Sequence, residues 1–227
     1  MRRRPGPGAH GFVTVMKHPV GWMARSLLDG EIHGQEHLPQ DGPYIVTANH
    51  FSLLDPVLVT LAVGRLVNYM ALDELFGKTK VGDEIMYYFG SISMSRDRPP
   101  LAALQQALRV LEADGLLGVF PEGGRALHWG ERSIKNGAAW LSIATGAPII
   151  PCAITGTEAT LSLAAPGIHV PSVRLSLHPP LDPDAYIDRV DPVTAMMKDW
   201  QSVLNDELGH WQPDYLQSGY SLSDREQ

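Results

Sequence analysis

The chain has 227 residues, with 18 Lys and Arg against 25 Asp and Glu, which gives a net charge of −7 and a pI of about 5.7. This length predicts a single domain, and 44% hydrophobic with 19% charged residues is the composition of a folded globular protein. The acidic balance argues against a nucleic-acid-binding protein, which would carry a basic surface. The single cysteine, Cys152, excludes a disulfide framework and a cysteine-rich zinc site.

The charge is distributed unevenly along the chain. Residues 1–30 carry five basic side chains against one acidic, whereas residues 181–227 carry three against ten. The first 180 residues are therefore balanced, and the acidic end predicts a solvated helix followed by a polar tail. The positive start also contains Trp22 and Leu27, and we expect a short amphipathic helix that either lies in a membrane interface or packs on the core.

Apolar segments in the chain alternate between strand and helix patterns. Strands are predicted over residues 44–48, 67–72, 91–95, 116–120, 149–154 and 173–177. Helices are predicted over residues 56–63, 134–145 and 191–208, and from 101 to near Gly115, with Leu101, Leu104, Leu108 and Leu111 on the buried face of that last one. This order predicts an α/β fold, a single domain with a central mostly parallel or mixed sheet flanked by helices.

The same patterns divide the chain into four segments. We expect a basic amphipathic segment at residues 1–30, an α/β core at 31–190, a C-terminal helix packed on the core at 191–212 and a polar tail at 213–227. No run approaches the ~18 apolar residues of a spanning helix, and no cleavage pattern follows the basic start. Neither a spanning helix nor a signal peptide is therefore predicted.

The segment from Asn49 to Asp55 lies between a predicted strand and a predicted helix. His50 and Asp55 are five residues apart across one turn, so their side chains can reach hydrogen-bonding distance. A carboxylate that orients the imidazole makes His50 a candidate general base. A structural alternative stays open here, because Ser52 and Asp55 match a capping box and Pro56 suits a helix start.

A second group of polar residues follows the strand predicted at 116–120. In Phe120-Pro-Glu-Gly-Gly-Arg125 the two glycines allow a close backbone approach, and Arg125 offers a bidentate fork for a phosphate. The structural alternative is a turn with a surface ion pair between Glu122 and Arg125. Arg96 follows another predicted strand. Because the carboxyl ends of parallel strands meet at one edge of a sheet, we expect all three to share a pocket with the histidine and aspartate.

Four blocks in fixed order resemble the glycerolipid acyltransferases, the superfamily of PlsC-type lysophosphatidic acid and glycerol-3-phosphate acyltransferases. The matches are residues 49–55 to N-H-x-x-x-x-D, residues 90–96 to G-x-I-x-x-x-R, residues 120–125 to F-P-E-G-x-R and residues 148–151 to P-I-I-P. The likeness covers about residues 30–180. Gly124 departs from it, since relatives usually carry Thr there, and so does Leu72, where many carry Lys.

The resemblance implies an O-acyltransferase of phospholipid biosynthesis, which moves a fatty acyl group from acyl-CoA or acyl carrier protein to a hydroxyl of a lysophospholipid. It implies 1-acylglycerol-3-phosphate as the acceptor and His50 as a general base oriented by Asp55. Implied substrate-binding residues are Asn49, Arg96, Glu122, Gly123 and Arg125, and the implied acyl-binding side is Pro148, Ile150 and Pro151. No metal is expected, and no cofactor apart from the thioester co-substrate.

The expected partners are a lysophospholipid acceptor, an acyl thioester donor and a membrane surface, with no nucleic acid. The expected location is peripheral, at the cytoplasmic face of the membrane. Glycerol-3-phosphate or a different lysolipid is the alternative acceptor. Two alternatives of other classes stay open, an acyl-thioester or lipid hydrolase in which His50 activates water, and a non-catalytic lipid-binding module with the same fold.

Overall fold

The computed structural model of the protein describes residues 31–72, 91–94, 101–163, 167 and 172–209. In these residues the strands are β1 Glu31–His33, β2 Tyr44–Ala48, β3 Val67–Leu72, β4 Ile92–Met94, β5 Leu116–Val119, β6 Ile149–Thr155 and β7 Arg174–Leu177. The α-helices are α1 Asp55–Val63, α2 Leu101–Glu112, α3 Gly137–Thr145 and α4 Pro192–Leu208. Three short 3₁₀ helices lie at Gln35–His37, Thr157–Ala159 and Pro183–Ala185.

The strands form one mixed sheet in the order β1-β7-β6-β2-β5-β3-β4. Neighbours run parallel except β6 and β7, which pair antiparallel. β2 is central, with Val46 opposite Gly118 of β5 and Ile150 of β6. The predicted single α/β domain with a central mixed sheet is confirmed. Because β2 and β5 are parallel neighbours, the loops that leave their carboxyl ends lie side by side.

The helices cover the two faces of the sheet differently. Side chains of α2, α3 and α4 pack with Ile45 and the fully buried Trp200 on one face. On the other face α1 packs through Val59 against Tyr44 and Val46. Successive residues of β2 point to opposite faces, so this central strand is buried on both sides.

The third helix begins later than predicted. The sequence pattern places its start at 134, but the N–H of Lys135 donates to the carbonyl of Pro121 at 2.8 Å, and the helix begins at Gly137. Its predicted end is confirmed, because Gly146 follows with φ +75°, the left-handed conformation in which glycine commonly terminates helices.

The buried face of α2 differs from the predicted leucine stripe. Ala103, Ala107 and Leu111 are buried at i, i+4 and i+8, whereas Leu101 is 65% exposed. The prediction is wrong at Leu101, because Ala103 and Ala107 form the innermost face of this helix together with Leu111. The apolar period correctly predicts the helix but places its inner face about one position off.

Some predictions fall outside the described residues. These are the N-terminal segment 1–30, the polar tail 213–227 and the end of the strand predicted at 91–95. Strand β1 was not predicted, since three residues are too short for a pattern. In the part of the chain that the structure describes, no helix is long and apolar enough to span a bilayer.

Candidate active site

The loop after β2 is held by hydrogen bonds that its backbone amides donate. The N–H groups of Phe51 and Ser52 both donate to Oδ2 of Asp55 at 2.8 Å. The N–H of Leu53 donates to the carbonyl of Leu161, and the next two amides bond to atoms of Ser52. Every amide from 51 to 55 is therefore engaged, which gives the loop one defined shape.

Within this loop the structure brings His50 and Asp55 together. Nδ1 of His50 lies 2.8 Å from Oδ2 of Asp55, so that one carboxylate oxygen accepts from the ring and from two backbone amides. Asp55 is fully buried, and the His50 side chain is 15% exposed. A carboxylate at this position fixes the Nδ1–H tautomer. None of the hydrogen bonds between described residues uses Nε2, which leaves that nitrogen as the available basic atom.

Asp55 makes contacts that bear on both interpretations of its position, and its catalytic role stays a prediction. Asp55 is the first residue of α1 and accepts the N–H of Ser52, which is half of a capping box. Ser52 does not act as the N-cap, because that position is Leu54 and the Ser52 hydroxyl donates to the carbonyl of Thr160 at 2.6 Å. The same carboxylate thus starts the helix and orients the histidine.

The turn after β5 contacts the backbone of His50 on both sides. The N–H of His50 donates to Oε2 of Glu122 at 2.6 Å, and the carbonyl of His50 accepts the N–H of Ala126 at 2.8 Å. The turn itself is closed by a bond from the N–H of Gly123 to the carbonyl of Phe120. Gly123 has φ +69°, a conformation that favours glycine, which explains the residue at this position.

Aromatic rings fix the imidazole plane. The Phe120 ring stacks on the His50 ring with centroids 4.1 Å apart and planes inclined by 19°. Tyr69 lies behind Phe120, and its hydroxyl donates to the carbonyl of Pro56 at 2.8 Å. The ring stack and the carboxylate together restrict the rotation of His50 about both side-chain bonds. Sequence patterns gave no signal for Tyr69, because only the sheet brings it to Phe120.

Burial changes the acidity of the neighbouring carboxyl. Glu122 is 2% exposed, and its burial raises the pKa to about 8. The N–H of His50 and the charge of Arg132 lower this pKa, while the charges of Asp55 and Glu131 raise it. The structure places Glu122 beneath the histidine loop with almost no accessible surface, and its predicted contact with substrate stays a prediction.

Cationic side chains surround the two glycines of this turn. Arg125 donates from Nη1 to the carbonyl of Leu161 at 3.1 Å. Arg132 donates from Nε to the carbonyl of Arg125, and its Nη1 lies 3.5 Å from the position that a Cβ on Gly124 would occupy. The side chain of Lys135 lies beside Gly123. Arg132 was missed because its seven-residue separation from Arg125 carries no motif.

The amides of this turn include free donors. In the hydrogen bonds of the described residues, the N–H groups of Gly124 and Arg125 have no acceptor. Arg132 also lines a cavity of about 460 Å³ between residues 129–136 and α4, and His50 is not part of that lining. The turn therefore presents backbone donors and guanidinium groups together, a combination suited to an anionic oxygen.

Asn49 occupies a structural position. It is fully buried, its side-chain N–H donates to the carbonyl of Ile154, and its Oδ1 accepts the N–H of Ile154, both at 2.8 Å. The amide thus continues the hydrogen bonding between β2 and β6 beyond Ala48. This places Asn49 as the anchor of the histidine loop, and its predicted contact with substrate stays a prediction.

The residues predicted for the acyl side lie in the core. Ile150 is fully buried on the α1 face of the sheet, and Pro151 is buried opposite Thr47 of β2. Pro148 is half-buried, and its carbonyl accepts the N–H of Ile45. Their assignment to acyl binding stays a prediction. Arg96 lies outside the described residues, so its place in a shared pocket with Arg125 stays a prediction.

The chemistry available at this edge of the sheet is proton transfer beside an anion-binding turn. A neutral imidazole with Nδ1–H on a buried carboxylate can accept a proton at Nε2 from a hydroxyl or from water. Among the described residues, no three His, Cys, Asp or Glu side chains form a metal-binding group.

Comparison with known proteins gives matches that include this site. A family model described as Acyltransferase matches residues 29–155, which contain His50, Asp55, Glu122 and Arg125. A chloroplastic 1-acyl-sn-glycerol-3-phosphate acyltransferase of Brassica napus is 26% identical over 155 residues, 66% of this chain and 44% of that protein. A Mycobacterium tuberculosis protein described as uncharacterized is 29% identical over 164 residues, 66% of this chain and 43% of that protein.

The solved structures include a similar fold. The crystal structure of the 1-acyl-sn-glycerophosphate acyltransferase PlsC from Thermotoga maritima superimposes with a TM-score of 0.68, covering 94% of this chain and 86% of that one, at 24% identity. The chain spans less than half the length of the two relatives above. The family model covers more than half of the chain, and the chain therefore belongs to the Acyltransferase family.

Proposed function

We propose that the protein transfers a fatty acyl group from an acyl thioester to a hydroxyl of a lysophospholipid, with 1-acylglycerol-3-phosphate as the acceptor. The observation that carries this proposal is the 2.8 Å contact between Nδ1 of His50 and the buried carboxylate of Asp55. Membership of the Acyltransferase family supports the reaction class. Relatives described as 1-acyl-sn-glycerol-3-phosphate acyltransferases support the acceptor.

The proposed reaction needs one general base. Nε2 of His50 removes the proton of the acceptor hydroxyl while its oxygen attacks the thioester carbonyl, and a C–O bond forms. The C–S bond then breaks, and the thiolate takes the proton from the imidazolium. Asp55 stabilises the imidazolium through Nδ1–H. Because a thiolate is already a good leaving group, no covalent enzyme intermediate is required.

The acceptor phosphate is proposed to lie on the turn after β5. Arg125, together with the free N–H groups of Gly124 and Arg125, supplies donors at that turn. Arg132 supplies a second guanidinium, which lies beside Gly124. Two guanidinium groups and backbone donors match a phosphate better than a neutral headgroup. We keep Arg96 in the proposal as a further ligand on the basis of its sequence block alone.

The donor and the membrane contact are proposals of the same kind. The donor is acyl-CoA or acyl carrier protein, with the apolar side at Pro148, Ile150 and Pro151 as the candidate surface for the chain. We further propose a peripheral position at the cytoplasmic face of the membrane, with the basic residues of segment 1–30 toward anionic lipid.

The test is a mass-spectrometric screen with labelled acyl-CoA and a panel of acceptors. The panel contains 1-acylglycerol-3-phosphate, other lysolipids and glycerol-3-phosphate, each with the wild-type protein and with His50→Ala. We expect labelled phosphatidic acid only from the wild type. Labelled free fatty acid that forms equally without any acceptor would instead identify a hydrolase. Vesicle binding without turnover on the whole panel would identify a lipid-binding module.

A further inference from the structure

The carboxyl group of Glu122 has almost no accessible surface. Its residue is 2% exposed, its Oε2 accepts the N–H of His50 at 2.6 Å, and its Oε1 is buried with no partner in the described residues. A side chain that bound a substrate headgroup would need an accessible oxygen. Both oxygens of Glu122 instead lie beneath the loop that carries the base.

His50 is held by four contacts, of which three come from the turn that contains Glu122. Its N–H donates to Glu122, its carbonyl accepts from Ala126, and its ring stacks on Phe120. The fourth is the bond to Asp55. Among these four contacts, the bond to Glu122 joins a titratable side chain to the backbone of His50. A change in that side chain therefore displaces the whole residue.

Geometry also determines which charge state of Glu122 fits the site. A carboxylate would leave its second oxygen buried without a donor in the described residues, and the charge of Asp55 would repel it. A neutral acid keeps the bond from His50 and removes that repulsion. The facing charges are Asp55 on α1 and Arg132 and Glu131 on the following loop, so one cation opposes two anions. The neutral acid is therefore the form that the folded site accommodates.

We infer that Glu122 is a positioning residue, which holds the backbone of His50 as a neutral acid and does not bind the acceptor. The expected effect on kcat rests on the proposed acyl transfer, whereas the expected effect on unfolding does not. Ionisation of Glu122 introduces a second buried negative charge beside Asp55 and weakens the placement of the loop. The proposal adds a pH-sensitive support to the general base.

The kinetic experiment compares Glu122→Ala, Glu122→Gln and the control Glu112→Gln, which changes an exposed carboxyl at the end of α2. Glu122→Ala removes the acceptor for the His50 N–H, and displacement of a catalytic group by an ångström lowers kcat by about 100-fold. The acceptor KM stays close to the wild-type value, and Glu122→Gln restores most of the lost kcat because its carbonyl accepts the same bond. An increase in acceptor KM with kcat retained would overturn the proposal.

The stability experiment measures unfolding of wild type and Glu122→Gln between pH 4.5 and 8. The folded-state pKa of Glu122, about 8, lies above its ordinary value of 4.5, so the folded protein holds this proton more tightly than the unfolded chain. The contribution of this group to stability is therefore lost as pH rises through this range, and Glu122→Gln lacks that loss. Glu112→Gln is expected to follow the wild type.

The two measurements separate the possible failures. If the wild type transfers no acyl group to any acceptor, the proposed function fails, and the difference between wild type and Glu122→Gln in unfolding still decides the state of Glu122. Equal pH dependence of unfolding in these two proteins would overturn the buried neutral acid. A pH-rate profile in which Glu122→Gln keeps activity further into alkaline pH than the wild type supports the full proposal.

Discussion

The loops that follow β2 and β5 contribute differently to the candidate site. The 49–55 loop supplies the reactive pair His50 and Asp55, and its consecutive amides determine its own shape. The 120–132 loop supplies no base. It holds the backbone and ring of His50 and brings Arg125 and Arg132 to the glycine turn.

This difference separates reactivity from placement. A change in the 49–55 loop alters the proton-transfer group itself, so its effect should appear with every acceptor. A change in the cationic part of the 120–132 loop alters how the acceptor is held, so its effect should depend on the acceptor headgroup.

Replacement of the carboxylate partner should have the largest effect in the set. Asp55→Asn removes the negative charge that stabilises the imidazolium and the oxygen that fixes the Nδ1–H tautomer. We expect kcat to fall by about 10²–10⁴-fold, the usual contribution of a positioned general base, with every acceptor alike. The measurement is initial-rate kinetics with phosphorylated and neutral acceptors.

The amide of Asp55→Asn can still accept the N–H groups of Phe51 and Ser52 through its carbonyl oxygen, so the loop should stay folded. Thermal unfolding close to that of the wild type is the control. Retention of more than a tenth of wild-type kcat in this variant would contradict the role of Asp55.

Removal of either guanidinium should act on phosphorylated acceptors selectively. Arg125→Ala and Arg132→Ala each remove donors at the glycine turn, and a hydrogen bond between charged groups changes binding by about 10- to 100-fold. We expect kcat/KM to fall by that factor for 1-acylglycerol-3-phosphate and little for a neutral monoacylglycerol. Inorganic phosphate, used as a competitor of the acceptor, should rank the wild type and the two variants in the same order of affinity.

A matched control for this selectivity is Arg174→Ala, since that guanidinium is exposed on β7 and pairs with Glu31. Equal losses for phosphorylated and neutral acceptors in Arg132→Ala would remove Arg132 from acceptor binding.

The anchor of the 49–55 loop should matter for stability. Asn49→Ala removes both bonds to Ile154 and leaves the N–H and carbonyl of Ile154 buried without these partners. We expect a loss of about 1–3 kcal/mol in the free energy of unfolding, measured by denaturant titration. Asn68→Ala, which removes one bond to the carbonyl of Leu116, should cost less. The reverse order would show that Asn49 does not anchor the loop.

The smallest effect is expected at Cys152. This thiol is fully buried, and burial raises its pKa, so almost no thiolate is present to react. We expect iodoacetamide at pH 8 to label the unfolded chain and leave the native protein unlabelled, and Cys152→Ala to keep wild-type acyl transfer. Rapid labelling of the native protein together with loss of activity would place Cys152 at the active site and contradict the proposed mechanism.

The sequence predicts those features of the fold and the site that have local causes. The His50–Asp55 pair is five residues apart, and the apolar segments of β2 and β6 are continuous, so neither needs knowledge of the rest of the fold. The helix end at Gly146 has the same local character, because a single residue type determines it.

The remaining features depend on contacts between distant segments. Glu122 meets the backbone of His50 because β2 and β5 are parallel neighbours, and no spacing between residues 50 and 122 expresses that register. The family resemblance assigned Glu122 to substrate binding, and its bond to His50 could not be predicted from the sequence. Arg132 was missed for a similar reason, since the turn folds back to bring it to Gly124.

The most direct test of the account is the turnover of His50→Ala beside the control His33→Ala, which changes an exposed histidine on β1. Both are measured with a labelled acyl thioester and 1-acylglycerol-3-phosphate. The account predicts that His33→Ala forms labelled phosphatidic acid at the wild-type rate and that kcat of His50→Ala is lower by about 10²–10⁴-fold. Equal turnover of the two variants would contradict it.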